Sequence, residues 1–190
     1  MSRTPWTDRL AEVLGAWPRE PVYYRKNVRD KIVSLMEENR GSILLDAGCG
    51  TGILREHLPK WIKYVGLDFT PEFIDYCRGK FKDEFVLAKV EKIPYPDMYF
   101  WAVNSTSVIN HNANWRDLIK EMMRVSQKYL VILTTSHDKA TAVIGTKPVL
   151  RIRFNPKDII DECSKYGAVE FEKAQDRNAD FTLGLFTVKK

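Results

Sequence analysis

The 190-residue sequence has few cysteines and no long apolar run. Cys49, Cys77 and Cys163 are odd in number and far apart, which argues against a disulfide framework or a zinc site. No stretch of about 18 apolar residues occurs, and the N-terminal residues MSRTPWTDRL lack the apolar core of a signal peptide. These absences argue against a membrane partner and predict a cytoplasmic protein in a reducing compartment.

The sequence also lacks a strong excess of charge of either sign. Thirty Lys and Arg residues against 25 Asp and Glu residues give a net charge of +5, spread along the chain. This distribution favours an ordinary solvated surface over a nucleic-acid-binding surface, which stays the alternative. The length predicts one domain over residues 1–190, with a helical lead-in over residues 1–40.

Short apolar runs alternate with amphipathic stretches from residue 22 onward, a pattern typical of a parallel sheet covered by helices. Seven runs are predicted strands: SILLD, WIKYVGLD, EFVLAKV, YFWAVN, YLVILTT, AVEFEKA and FTLGLFTVK. The last two are joined by the short segment QDRNAD without a helix, so they should pair antiparallel. We therefore predict a Rossmann-like, seven-stranded and mostly parallel sheet, with an antiparallel C-terminal edge strand and helices on both faces.

The turn after the first predicted strand is rich in glycine. Residues 46–52 read DAGCGTG and lie between a strand and a helix, where ligands of such sheets bind. Glycine lets a ligand approach the main chain, although a tight turn without a ligand would also use it. Asp68 ends the second strand 22 positions after Asp46 (68 − 46), where an acid can accept hydrogen bonds from ribose hydroxyls. The two features together predict an adenosine-containing cofactor.

The spacing of the glycines separates two cofactor classes. Ile53 stands where the dinucleotide fingerprint requires its third glycine. The DAGCGTG stretch resembles instead the first motif of the class I S-adenosylmethionine-dependent methyltransferases, and YVGLDFT resembles their second. The resemblance covers about residues 22–188 and includes Glu121, Arg124 and Val125 in an E-x-x-R-V pattern. It implies S-adenosylmethionine as the cofactor and methyl transfer as the activity.

The resemblance also implies which residues line the cofactor site, and no metal site is expected. The expected cofactor-binding residues are Asp46, Gly48, Cys49, Gly50, Gly52, Asp68, Phe69, Val90, Glu91 and Asn104. Two positions depart from the family pattern. Lys89 replaces an aspartate that accepts a hydrogen bond from adenine, a role that lysine cannot fill, so the backbone of Val90 or the side chain of Glu91 would replace it. Trp101 replaces a second aspartate and either packs in the core or lines the pocket.

The acceptor of the methyl group should meet the segment NSTSVINHNANW, which follows the fourth strand. His111 is the candidate catalytic base for a hydroxyl acceptor, and a surface or helix-capping role is its alternative. Residues 136–153 are longer than a typical connection and are a predicted substrate cap. Tyr23, Tyr24 and Arg25 are expected to approach the site from the other side, or to begin an ordinary helix.

A small molecule is the first choice of acceptor, because no motif of a larger substrate is present. The sequence has neither an Asn-Pro-Pro-aromatic run nor a Pro-Cys pair, which argues against amide N-methylation and the covalent cysteine mechanism. Nucleic acid is second, bound by a basic rim of Lys139, Lys147, Arg151, Arg153 and Lys157. A protein acceptor is third. A scaffold that binds S-adenosylmethionine without turnover is the main alternative, ahead of an NAD-dependent dehydrogenase.

Overall fold

A computed structural model describes residues 22–143, 150–175 and 182–190. Their strands, in chain order, are β1 (Ile43–Ala47), β2 (Lys63–Asp68), β3 (Glu84–Leu87), β4 (Phe100–Thr106), β5 (Ser126–Ser136), β6 (Ala142–Val143), β7 (Ile152–Arg153), β8 (Ala168–Gln175) and β9 (Thr182–Lys189). The predicted lead-in before residue 22 and most of the QDRNAD connection lie outside the described residues.

Helices separate most of these strands. They are α1 (Val22–Glu37), α2 (Ile53–His57), α3 (Pro71–Lys80), a 3-10 turn (Ile109–His111), α4 (Trp115–Val125) and α5 (Pro156–Cys163). Within the described part of the chain, no helix is both long and apolar enough to cross a membrane.

Seven strands form one sheet in the order β3-β2-β1-β4-β5-β9-β8. The first five are parallel to one another, and β9 is antiparallel to both of its neighbours. The predicted Rossmann-like fold, with its antiparallel pair at the C-terminal edge, is confirmed. Within that pair β9 lies inside against β5, and β8 is the outermost strand.

Each face of the sheet is covered by its own helices. Leu44 packs into the core formed with α1 and α3, whereas its neighbour Leu45 packs into the core formed with α4 and α5. This alternation follows from the two-residue period of a strand, whose successive side chains leave opposite faces. Because both faces are buried, the strands read as continuous apolar runs in the sequence.

The strand predicted over residues 84–90 is shorter in the structure. β3 ends at Leu87, and the amide of Ala88 still donates to the carbonyl of Asp68 at 3.0 Å. The chain then turns, with the amide of Lys92 bonded to the carbonyl of Lys89 at 3.1 Å. The turn moves residues 88–92 out of the sheet and places them at its carboxyl edge, beside the end of β2.

Candidate cofactor and acceptor site

The glycine loop, residues 48–52, folds tightly against the end of β2. The amides of Gly48 and Cys49 both donate to the carbonyl of Leu67, at 2.7 and 2.9 Å. Gly48, Gly50 and Gly52 all have positive φ, at 84°, 52° and 74°. Such backbone angles disfavour side chains, which explains why the sequence keeps glycine at alternate positions here.

Two of these glycines serve different needs. A Cβ placed on Gly48 would lie 2.3 Å from Cγ2 of Val108, so protein packing already uses the space that its hydrogen leaves. A Cβ placed on Gly50 would meet no atom within 4 Å. Gly50 is therefore the glycine of the loop whose face is open to a ligand.

Asp68 lies directly beside this open position and is 7% exposed. Its Oδ2 accepts the amide of Gly50 at 3.0 Å, and its Oδ1 accepts the amide of Thr70 at 2.8 Å. Burial raises the pKa of its carboxyl, against hydrogen bonds from Thr70, Gly50 and Phe69 that lower it. Asp68 thus fixes the loop, and each carboxylate oxygen keeps a second lone pair for a further donor.

Apolar side chains stand exposed next to Asp68. Phe69 is 44% exposed, and Leu87, which pairs with Asp68 across β2 and β3, is 49% exposed. Both project at the carboxyl edge of the sheet, where a flat aromatic ligand can cover them. Val90 is buried, and Lys89 and Glu91 are exposed. Leu87 was missed in the sequence, although its place at the end of the third strand was a usable signal.

Asp46, the first residue of the motif, is buried beneath the loop. Its Oδ2 accepts the hydroxyl of Tyr64 and its Oδ1 accepts the amide of Asn104, each at 2.7 Å. Burial raises the pKa of its carboxyl to about 6, although both hydrogen bonds lower it. Asp46 therefore joins β1 to β2 through Tyr64 and to β4 through Asn104, beneath the glycine loop.

Two thiols lie under the same loop. The Sγ atoms of Cys49 and Cys77 lie 3.7 and 3.4 Å from the carbonyl oxygen of Gly50. The Cys77 thiol and burial together raise the pKa of the Cys49 thiol well above its ordinary value. Cys49 is therefore a neutral thiol at pH 7 and acts here as a small packing residue.

The 3-10 turn after β4 brings His111 to the carboxyl edge of the sheet. Its Nδ1 lies 2.7 Å from the carbonyl oxygen of Leu150, so Nδ1 carries the proton and donates. In the neutral ring Nε2 then accepts the side-chain amide of Asn110, at 3.2 Å. A hydroxyl acceptor would have to replace Asn110 at Nε2 for His111 to take its proton.

Asn110 was missed in the sequence because nothing in the pattern separates it from the neighbouring asparagines. It is 6% exposed, and its Oδ1 has no hydrogen-bond partner among the described residues. Val108, two residues before Asn110, contacts Gly48. The turn that carries Asn110 and His111 therefore lies against the glycine loop.

Of the predicted cap over residues 136–153, the structure describes residues 136–143 and 150–153. Ser136 ends β5, and the other described residues follow that strand. β6 and β7 form a small antiparallel pair there. Phe154 is buried at its base, in an edge-to-face contact with Trp115 at 5.1 Å between ring centroids. The bond from His111 to Leu150 joins this segment to the 3-10 turn.

Trp101, singled out in the sequence, and the two histidines other than His111 serve packing or solvation. The Nε1 of Trp101 donates to the carbonyl of Leu35 in α1 at 3.0 Å, so this residue packs between helix and sheet and does not line the pocket. His57 is exposed on α2. His137 accepts the amide of Lys139 within its own loop. The side chains of Tyr23, Tyr24 and Arg25 lie outside the described part of the chain.

The E-x-x-R-V pattern has a structural role. Arg124 binds Glu121 at 2.8 Å and donates to the carbonyls of Ile93 and Tyr95 at 3.0 Å. Glu121 in turn accepts the amide of Ile93 at 2.8 Å, and Arg124 lowers the pKa of its carboxyl. The pair holds the chain after β3 against α4. No group of three His, Cys, Asp or Glu side chains in the described ranges is placed to hold a metal.

Comparison with known proteins agrees with this architecture. Residues 45–131 match the family model of a methyltransferase domain. The structure superimposes on 1,6-didemethyltoxoflavin-N1-methyltransferase of Burkholderia thailandensis, crystallised with 1,6-didemethyltoxoflavin and S-adenosylhomocysteine, with a TM-score of 0.78 and 13% identity. The alignment covers 97% of this chain and 85% of that one. Residues 45–131 are therefore similar to a methyltransferase domain, and the structure shares its fold with the superimposed methyltransferase.

Two curated relatives show how far the similarity extends. A malonyl-[acyl-carrier protein] O-methyltransferase of Yersinia pestis is 30% identical over 107 residues, which are 54% of this chain and 39% of the relative. An ajmaline N-methyltransferase of Rauvolfia serpentina is 30% identical over 109 residues, 53% of this chain and 38% of the relative. The matched part thus spans about two fifths of the length of these relatives.

The residues of the site fit S-adenosylmethionine, the cofactor that the sequence resemblance implies. S-adenosylmethionine needs acceptors for two ribose hydroxyls, an apolar place for adenine and room along the backbone. Asp68 has lone pairs left for the hydroxyls, Phe69 and Leu87 expose apolar surface beside it, and Gly50 leaves open space.

Proposed function

We propose that the protein is a methyltransferase that uses S-adenosylmethionine and acts on a small-molecule acceptor. The observation that carries this proposal is the open face of Gly50 beside the carboxylate of Asp68. When bound, the cofactor supplies a methyl group already activated by its sulfonium. The protein then has to align the acceptor and exclude water.

We assign the cofactor side as follows. Asp68 accepts from the ribose, and Phe69 contacts adenine together with the segment that contains Val90 and Glu91. Gly50 and the backbone of Cys49 leave room for the ligand. The remaining four predicted residues, Asp46, Gly48, Gly52 and Asn104, hold the loop in place from below.

The binding experiment is isothermal calorimetry with S-adenosylhomocysteine. We expect binding at a ratio of one to one, and no binding of NAD. Heat with NAD and none with S-adenosylhomocysteine would refute the proposal. A protein that binds S-adenosylhomocysteine but transfers no label from S-adenosylmethionine to any metabolite pool would be a scaffold and not an enzyme.

His111 remains the candidate base if the acceptor is a hydroxyl. For such an acceptor, His111→Ala should lower turnover by about 10²–10⁴ and leave the affinity for S-adenosylhomocysteine unchanged. His57→Ala is the control, because His57 is exposed on α2. Full activity of His111→Ala on an identified hydroxyl acceptor would assign His111 a purely structural role through its bond to Leu150.

The names of the relatives support a small or carrier-linked acceptor, since they include malonyl-[acyl-carrier protein] and ajmaline. We further propose that the described parts of the predicted cap over residues 136–153 cover the acceptor. All three cysteines are buried and free, which fits a reducing compartment, and we propose the cytoplasm as the site of action.

A further inference from the structure

We propose that the acceptor carries an anionic group, a carboxylate or a phosphate, which Arg151 and Arg153 bind at the cap. This substrate class rests on the methyl transfer proposed above. Arginine suits such a group because its planar guanidinium can donate two parallel hydrogen bonds to two oxygens.

The cap places both arginines on one side of an extended segment. Ile152 lies between them and is 5% exposed, in the same core as Phe154. Since side chains of extended backbone alternate, Arg151 and Arg153 leave the segment on the face opposite to Ile152. Arg151 is exposed and Arg153 is half-buried.

Neither arginine has an ion pair with another described residue. The carboxylates of the flanking segments have other partners: Asp138 pairs with Lys173, Asp158 bonds to Thr141, and Asp161 pairs with Lys157. Two positive charges therefore stand close together in the cap without a neutralising group from the described chain. An anion bound between them would gain charge-assisted hydrogen bonds.

The segment that carries the arginines is joined to the methyl-transfer side of the site. Leu150, the residue before Arg151, accepts the Nδ1–H of His111 at 2.7 Å. The 3-10 turn of His111 lies against the glycine loop through the contact of Val108 with Gly48. An acceptor anchored by its anionic end at the cap would thus lie next to the loop that we assign to the cofactor.

The charges fit one discrete anion better than a nucleic-acid backbone. Nucleic-acid binding requires a row of cations that follows successive phosphates. Of the predicted basic rim, Lys157 is paired with Asp161, and Lys147 lies outside the described residues. The members of the rim that remain are the exposed Lys139 and the two arginines, and the arginines lie beside the 3-10 turn.

The direct test is a titration of the protein saturated with S-adenosylhomocysteine, using sodium malonate in one series and inorganic phosphate in another. The Nε–H signals of Arg151 and Arg153 in the NMR spectrum report binding. We expect a saturable shift with at least one anion. Tighter malonate binding would indicate a carboxylate acceptor, and tighter phosphate binding a phosphate ester.

Arg151→Gln and Arg153→Gln should each weaken binding of that anion by about fivefold or more, at unchanged affinity for S-adenosylhomocysteine. Lys63→Gln is the control, because Lys63 is exposed at the opposite edge of the sheet. No saturable shift, or equal anion affinity in the parent and both variants, would overturn the proposal. If the parent protein itself does not bind S-adenosylhomocysteine, the proposed function is refuted instead.

A second experiment uses turnover. A metabolite pool is first separated by anion exchange, and each fraction is incubated with the protein and labelled S-adenosylmethionine. Labelled product from the retained, anionic fraction of small molecules is the expected result. Label that appears only with the unretained fraction, or only with RNA, would overturn an anionic small-molecule acceptor.

Discussion

On the side of the site that we assign to the cofactor, Asp46 lies one residue before the end of β1, and Asp68 ends the neighbouring strand β2, 22 positions later (68 − 46). On the acceptor side, His111 bonds to Leu150, which lies 39 residues further along the chain. The first arrangement follows from two adjacent strands of a parallel sheet. The second depends on how a long connection folds back over the sheet. This difference explains why the cofactor side carries a recognisable sequence motif and the acceptor side does not.

The two sides also differ in the atoms that they offer. The cofactor side presents backbone and one carboxylate, whose positions are fixed by hydrogen bonds to Leu67, Gly50 and Thr70. The acceptor side presents long side chains on a turn and a cap. Substitutions on the cofactor side should therefore remove cofactor binding, and those elsewhere should leave it intact.

Gly50→Val should have the largest effect. A branched side chain would enter the open face of the loop at a positive φ, so we expect no measurable S-adenosylhomocysteine binding by calorimetry. Gly79→Val is the matched control, because Gly79 in α3 also faces open space but at an ordinary backbone angle. Normal binding by Gly50→Val would mean that the loop glycines serve packing alone.

The buried carboxyl of Asp46 should make stability depend on pH. Its pKa rises from 3.8 to about 6 on folding, so the folded state holds the proton more tightly. The associated stabilisation is present below about pH 4 and is lost as the pH rises through 6, by up to about 3 kcal/mol. The quantity to follow is the free energy of unfolding of the parent minus that of Asp46→Asn. This difference should fall by up to about 3 kcal/mol between pH 4 and pH 7.

Urea unfolding of both proteins across this range measures the difference. Groups common to both proteins cancel in it, so a flat difference would contradict a raised pKa of Asp46 in the folded state. A change of the opposite sign would indicate that the hydrogen bonds from Tyr64 and Asn104 outweigh burial.

Asp68→Ala should weaken S-adenosylhomocysteine binding at least tenfold, because two charge-assisted bonds to ribose hydroxyls are worth about 1.5–3 kcal/mol each. It should also lower the melting temperature, since the amides of Gly50 and Thr70 lose their acceptor. Asp75→Ala on the exposed face of α3 is the control. Unchanged affinity would place the ribose acceptor on another residue.

Trp101→Phe should have the smallest effect. Phenylalanine keeps the ring between α1 and the sheet but loses the bond to Leu35, worth about 1 kcal/mol of stability. Thermal unfolding should show this loss, and calorimetry should show unchanged affinity for S-adenosylhomocysteine. Reduced affinity at unchanged stability would contradict the packing role that the structure gives to Trp101.

The sequence by itself determined the order of strands and helices, the parallel sheet and the loop with Asp68 beside it. These predictions use local features: apolar runs, the spacing of glycines and the residue that ends a strand. The alternation of strands and helices then leaves few ways to connect the strands. The sequence therefore predicts these features without any knowledge of side-chain packing.

Only the tertiary structure decided which glycine faces open space, that Asp46 is held beneath the loop, and that Trp101 packs on α1. It also decided that His111 meets the cap through Leu150, next to Arg151 and Arg153, and that Asn110 binds His111. Each of these facts depends on contacts between residues distant in sequence, such as Gly48 with Val108 and Trp101 with Leu35. Local patterns carry no information on such contacts, because they arise when the elements pack.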